Sequence, residues 1–274
     1  TLVTFGGAFF ASFPLFYSTS FGGAYWVWVL ILFTFIIQAI SYEFQNKAGN
    51  LFGVRTFQTG LIINGILGPL LLGGAVATFF TGSNFIVEKG NITDFMQPVI
   101  SHWTNGSRGL DVLLNPWVVI FGISVVFLAR ILGTLYINNN VNDDIIRGRV
   151  RKQLLVNTVL FLLFFLPFLI VTLVGEGYAV NEAGVIVMEP MKYLNNLLAM
   201  WPLAIILLVG VVLLLFGIVK TVLKPEYVRG IWPAGIGVVL VVLVLFLIAG
   251  WNNTAYYPST TELQSSLTLQ NSSS

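Results

Sequence analysis

The sequence predicts an all-α integral membrane protein, a polytopic bundle of about seven transmembrane helices. Hydrophobic residues make up 57% of the 274 residues and charged residues 9%, whereas a soluble domain is about 45–50% apolar and about 25% charged. The apolar residues also fall in runs near the length of about 20 residues that crosses a bilayer. So few charges cannot cover a water-exposed surface, and a bilayer removes that requirement.

Seven apolar segments qualify or nearly qualify as spans. They are residues 1–17, 24–42, 57–81, 116–137, 153–174, 197–218 and 230–250. Helices are expected because the segments lack the period-two alternation of barrel strands, and because a helix satisfies its own backbone hydrogen bonds in lipid. We expect a single transmembrane domain over 1–274. The chain begins inside an apolar run and ends in a polar one, so we expect a fragment of a longer protein.

Basic residues are divided unevenly between the two sets of alternating loops. Nine Lys or Arg residues fall in loops 43–56, 138–152 and 219–229, and three fall in the other set. The positive-inside rule therefore predicts that the nine-charge set is cytoplasmic. The net charge of +2 is too small to suggest a nucleic-acid partner.

Several kinds of site are excluded by residue type. The chain has no cysteine and one histidine, His102, which excludes disulfides, thiolate metal sites and multi-histidine sites made by this chain alone. P-loop, GxSxG and HExxH motifs are absent. On its own residues, the chain is typical of a scaffold or a transporter rather than a self-contained catalyst.

Arg130 is the one full charge well inside a predicted span. It lies roughly 10 Å from the nearer end of its helix, where an arginine costs about 2.5–3.5 kcal/mol on insertion scales. Such a residue is a functional candidate, although snorkelling or a structural ion pair is the plainer interpretation. Glu43, at the end of the second span, is a candidate partner. We hypothesise that the two pair, or that Glu43 belongs to a proton or quinone site; an ordinary interfacial carboxylate is the alternative.

Uncharged polar residues and a proline also interrupt the spans. Gln38 and Asn64 are expected to hydrogen-bond across helices. Gly68-Pro69 predicts a bend like that of broken transporter helices, with close helix packing as the plainer interpretation of the glycine. A secondary transporter or permease therefore stays open as a function, and so does a structural subunit of another membrane complex. A transporter also predicts internal repeats, and none is visible in the sequence.

Three strings resemble subunit II of cytochrome bd-type quinol oxidases. The first is GGAFFASFP at 6–14 followed by Tyr17, and the second is YEFQ at 42–45. The third is the tail, with YPS at 257–259, SLT at 266–268 and NSSS at 271–274. Helix order and loop lengths agree between these strings, so the resemblance spans essentially the whole chain. In its variant details the chain resembles members from anaerobic gut bacteria of the Bacteroides type.

The resemblance implies a full subunit of nine helices, two four-helix bundles plus one peripheral helix, of which this chain would hold the second through eighth. It implies a multi-pass protein of the bacterial cytoplasmic (inner) membrane. The implied activity is that of a translocase-class oxidoreductase, which oxidises quinol, reduces oxygen to water and generates a proton gradient. Haems b and d would lie on the partner, subunit I, so this chain would bind none and would not be catalytic alone. It would scaffold subunit I, and either contribute to proton and oxygen access or hold a structural quinone.

The chain departs from the family pattern beside Glu43. Members commonly have arginine where this chain has Gln38 and Gln45. The loss of both charges argues against an ion-pair role at that element, and it leaves Arg130 as the expected partner of Glu43.

Overall fold

The computed structural model describes residues 7–8, 10–88, 90–91, 96, 99–224 and 226–272. Within these ranges, seven α-helices have eight residues or more. They are α1 (Tyr25–Phe44), α2 (Val54–Thr81), α3 (Pro116–Asn140), α4 (Asp144–Val174), α5 (Lys192–Ala199), α6 (Trp201–Leu223) and α7 (Ile231–Gly250).

The six long helices confirm the all-α polytopic fold class, because each is long and apolar enough to cross a membrane. They also expose large apolar side chains: Ile62, Leu163, Leu208 and Val239 are between 61% and 65% accessible. Water would solvate such surfaces poorly. The protein is therefore a multi-pass membrane protein whose helices are solvated by lipid.

Two helices differ most from the predicted spans. The predicted span at 153–174 lies inside α4, which begins earlier, at Asp144, where the Asp143 carboxylate accepts a hydrogen bond of 2.9 Å from the Ile146 N–H. This N-cap starts the helix in charged sequence that an apolar-run criterion does not register. The predicted span at 197–218 combines the end of α5 with α6, which are separated at Met200.

The first predicted span, 1–17, falls partly outside the described residues, which omit 1–6 and residue 9. Its end is a short helical turn, Pro14–Phe16, followed by a π-helix at Tyr17–Gly23. A membrane span at 1–17, which would bring the total to seven, therefore stays a prediction. π-Helical turns are rare and are frequent near functional sites.

The chain divides into two compact units. The first comprises 1–122, 178–187 and 255–274, and the second comprises 123–177 and 188–254. In the first unit, α1 packs against α2 around a core of Val27, Ile31 and Leu71. A second core of this unit lies beneath its loops and contains Phe16, Phe85, Val87, Tyr257 and Leu267.

In the second unit, α6 and α7 form a closely packed pair. A Cβ atom at Gly217 would lie 2.5 Å from the Gly230 carbonyl oxygen, and one at Gly237 would lie 2.6 Å from the Leu214 nitrogen. Only glycine permits this approach, which is how small residues pack membrane helices. The core of this unit contains Ile131, Leu135, Leu154, Phe161, Leu214, Ile218 and Ala234.

Two short hairpins connect the helices. Strands β1 (Phe85–Val87) and β2 (Ser101–Trp103) pair antiparallel, with Phe85 opposite Trp103. Strands β3 (Glu176–Val180) and β4 (Ile186–Pro190) form the second two-stranded sheet. Within the first unit, the tail that follows α7 joins β1 through a hydrogen bond of 2.5 Å from the Ser259 hydroxyl to the Phe85 carbonyl.

Candidate functional site

Glu43 lies at the end of α1 and forms an ion pair with Lys47. The Glu43 carboxylate is 2.8 Å from the Lys47 Nζ atom, and the two side chains are 64% and 53% exposed. The i, i+4 spacing brings the two onto one side of the helix end. Because the pair is solvent-accessible, it contributes little to folding.

Arg130 lies in the middle of α3 with its side chain exposed at the protein surface. Its Nε atom donates a hydrogen bond of 3.1 Å to the Oδ1 atom of Asn157, which is 2% exposed on α4. The guanidinium is therefore supported from the packed interior of the second unit. Sequence reasoning missed Asn157, although a lone asparagine in the apolar run 153–174 is a visible signal.

The hypothesised pairing of Glu43 with Arg130 stays a prediction. Glu43 belongs to the first unit, where its partner is Lys47. Arg130 belongs to the second unit, where its partner is Asn157. Among the described residues, each charge thus has a polar partner within its own unit, and a guanidinium can accommodate more than one acceptor.

The interface of α1 and α2 contains a small polar notch. A Cβ atom at Gly68 would lie 3.3 Å from the Thr34 hydroxyl and 3.4 Å from the Asn64 Nδ2 atom. Asn64 is 6% exposed, and its Nδ2 atom makes no hydrogen bond within the described residues. The prediction that Asn64 hydrogen-bonds across helices is therefore wrong for its amide nitrogen. Thr34 instead donates its hydroxyl at 2.8 Å to the Ile31 carbonyl of its own helix.

A buried set of hydroxyl groups lies in the first unit at the end of α2. Tyr257 is 2% exposed, and the hydroxyls of Ser83, Ser20 and Thr78 lie near its phenol. Burial raises the pKa of Tyr257, and the neighbouring hydroxyls only partly oppose the rise. We call these four residues the hydroxyl cluster. It stays neutral at physiological pH and holds the tail of this unit against α2.

Asp111 supplies the negative charge near this cluster. Burial alone would raise the pKa of its carboxyl, but hydrogen bonds from Ser107, Asn105 and Asn84 outweigh burial and hold the pKa below its usual range. The Ser107 hydroxyl donates at 2.8 Å and the Gly109 N–H at 3.2 Å. The carboxylate therefore orders the loop between β2 and α3. Neither Asp111 nor the hydroxyl cluster was singled out from the sequence.

The residues that could ligate a metal or haem are dispersed. The described residues contain no group of three or more His, Cys, Asp or Glu side chains that could hold a metal ion. His102, the single histidine of the sequence, lies on β2 outside the long helices, with an exposed side chain. No spanning helix of this chain therefore offers an imidazole as an axial haem ligand.

Comparison with known proteins identifies the family. The model of the cytochrome bd terminal oxidase subunit II family matches residues 1–274. Over 165 residues the chain is 26% identical to subunit 2 of the Escherichia coli K12 cytochrome bd-I ubiquinol oxidase, covering 59% of this chain and 41% of that protein. Over 155 residues it is 23% identical to the Bacillus subtilis cytochrome bd ubiquinol oxidase subunit 2, covering 56% and 40%. A probable cytochrome oxidase subunit 2 of Haemophilus influenzae is 25% identical over 181 residues, covering 66% and 45%.

These alignments cover less than half the length of the relatives. The family model, by contrast, covers the whole of this chain, and the structure places six apolar helices along it. Both findings favour the oxidase subunit over the transporter and over a subunit of an unrelated complex. The chain belongs to the cytochrome bd terminal oxidase subunit II family.

Proposed function

We propose that this chain acts as subunit II of a bd-type terminal quinol oxidase. In that role it supports quinol oxidation and the reduction of oxygen to water, with generation of a proton gradient. The observation that carries the proposal is the family match over all 274 residues. The relatives named as ubiquinol oxidase subunits support it, although each is matched over part of its length.

The partner in this proposal is the haem-bearing subunit I. Haems b and d, when bound to that subunit, would supply the electron transfer and the oxygen chemistry. This chain lacks a histidine in any spanning helix, so its own contribution is to pack against subunit I and to shape its surroundings. A structural quinone held by this chain belongs to the same proposal.

The proposed location is the bacterial cytoplasmic membrane, with loops 43–56, 138–152 and 219–229 inside. The nine basic residues of these loops support that orientation through the positive-inside rule. In this orientation Lys47, the ion-pair partner of Glu43, would lie on the cytoplasmic side. Protons taken up from the cytoplasm would therefore meet the Glu43 end of α1.

Within this subunit, Glu43 and Arg130 are the residues that we propose for proton or quinone handling or for an intramembrane ion pair. Glu43 is supported by its exposed carboxylate at a helix end. Arg130 is supported by its position deep in a span, where an arginine is retained at an insertion cost.

Oxygen uptake by membranes tests the proposed activity. Membranes from cells that express the complete oxidase should consume oxygen when supplied with a reduced quinol. Membranes from an otherwise identical strain that lacks this chain should lose that uptake and regain it when the chain is restored. Undiminished uptake in the deletion strain, with other oxidases removed, would contradict the proposal.

A further inference from the structure

One face of α6 carries a shallow, open apolar groove at the protein surface, lined by this helix and the residue after it. Its volume is about 570 Å³, and its walls are Val212, Leu215, Phe216, Val219 and Leu223. Lys220 and Lys224 complete the lining at the end of the helix. The groove is therefore apolar along its length and cationic at one end. A helix face that only contacts lipid tails needs the apolar side chains but not the two lysines.

Aromatic rings hold one of the two cations in place. The Lys220 Nζ atom lies 4.8 Å from the centre of the Phe216 ring and 4.3 Å from the centre of the Tyr227 ring. Contacts of this kind attract an ammonium group to the ring faces. Lys220 is therefore a positioned charge at the mouth of the groove, while Lys224 beside it is exposed.

The charges around this end favour an anion. Residues 220–229 contain three basic side chains, Lys220, Lys224 and Arg229, against one acidic side chain, Glu226. Neither lysine forms an ion pair with a carboxylate within the described residues. An anion at the groove mouth would therefore meet uncompensated positive charge.

The length of the groove matches one leaflet of a bilayer. From Val212 to Leu223, α6 rises by about 17 Å at about 1.5 Å per residue. Half of a hydrocarbon core of about 30 Å is about 15 Å. An acyl chain that lies along the apolar walls therefore reaches the middle of the membrane when its headgroup stands at the lysines.

We propose that this groove binds one acidic phospholipid, with an acyl chain along Val212–Leu223 and the phosphate between Lys220 and Lys224. A partner helix fits the surface less well, because helix interfaces in membranes favour small residues and these walls are large side chains. The proposal needs only the membrane setting of α6, so it stands or fails independently of the oxidase function.

Lipid binding by the purified, delipidated complex tests this site. Native mass spectrometry would follow titration with phosphatidylglycerol, which is acidic, and with phosphatidylcholine, which has no net charge. The wild type should prefer phosphatidylglycerol, and each lysine removed should weaken its binding about 5-fold. The double variant Lys220→Gln/Lys224→Gln should therefore lose the preference, whereas Lys220→Arg/Lys224→Arg should keep it.

A matched control separates the groove from general basic charge. The variant Arg151→Gln/Lys152→Gln removes two basic side chains from α4 and none from the groove lining, so it should leave the preference intact. An equal loss in both double variants would overturn the proposal. So would a photoreactive residue at Val219 that labels a protein chain in native membranes instead of a phospholipid.

Discussion

The contact between Arg130 and Asn157 gives the sharpest mutational prediction. Replacing Asn157 by leucine removes the acceptor of the 3.1 Å hydrogen bond from the Arg130 Nε atom. Replacing Arg130 by methionine instead removes the charge and keeps an unbranched apolar side chain. The two variants should affect stability differently, because one leaves a charge without its partner and the other does not.

The expected changes in the free energy of unfolding follow from general values for membrane helices. Hydrogen bonds between such helices contribute about 0.6 kcal/mol on average and up to about 1.7 kcal/mol, and bonds to charged groups lie at the upper end. We expect Asn157→Leu to lower the free energy of unfolding by about 1–2 kcal/mol. Arg130→Met loses the same bond but recovers part of an insertion cost of about 2.5–3.5 kcal/mol. The double variant should therefore be at least as stable as the wild type.

Unfolding of the purified protein in mixed detergent micelles measures these differences. Thr158→Val is the control on α4, because the Thr158 hydroxyl donates to the Leu154 carbonyl of its own helix. It should show no energetic coupling to Arg130→Met. Wild-type stability of Asn157→Leu, or equal losses that add in the double variant, would refute a supporting role for Asn157.

Three further predictions concern the other features. Glu43→Gln should lower quinol oxidase activity severalfold, because it removes the carboxylate proposed for proton or quinone handling. Lys47→Gln should not, because it keeps that carboxylate and the exposed ion pair contributes little to folding. Wild-type oxygen uptake and assembly in Glu43→Gln would reject a role for this carboxylate. Tyr257→Phe should lower the free energy of unfolding by about 0.5–1.5 kcal/mol by removing a buried phenol hydroxyl from its polar surroundings. Burial also raises the pKa of Tyr256 to about 12. The stability that the neutral phenols of Tyr256 and Tyr257 contribute is therefore complete below about pH 10 and is lost as the pH rises towards 12. Unfolding of the variant in which both tyrosines are phenylalanine should lack this loss. Gly237→Val should destabilise the protein by about 1–3 kcal/mol through overpacking, whereas Gly235→Val meets open space and should be tolerated; equal unfolding midpoints would argue against close packing of α6 and α7.

The long helices could be predicted because bilayer thickness imposes a length on apolar runs. Their ends could not, since a helix continues beyond the bilayer wherever a cap and charged turns permit it. Asp143 is such a cap, and it begins α4 in a segment that carries four basic residues before 153. Hydropathy measures transfer into lipid and carries no information about capping.

The candidate charges were visible in the sequence, but their partners were not. Arg130 and Asn157 lie 27 residues apart, and only the packing of α3 against α4 determines that they meet. Asn64 shows the opposite case: its Nδ2 atom makes no hydrogen bond within the described residues, while the Thr34 hydroxyl donates to the Ile31 carbonyl of its own helix. The hydroxyl cluster joins Ser20 to Tyr257, and no local pattern marks ordinary polar residues that meet from opposite ends of a chain.

The optical spectrum of the complex purified through this chain tests the proposed function most directly. A tag on this subunit should recover a complex from native membranes whose reduced spectrum shows the bands of b- and d-type haems, which would come from subunit I. The same complex should oxidise quinol and consume oxygen. A haem-free protein that binds a solute and lacks a large partner subunit would contradict the proposal.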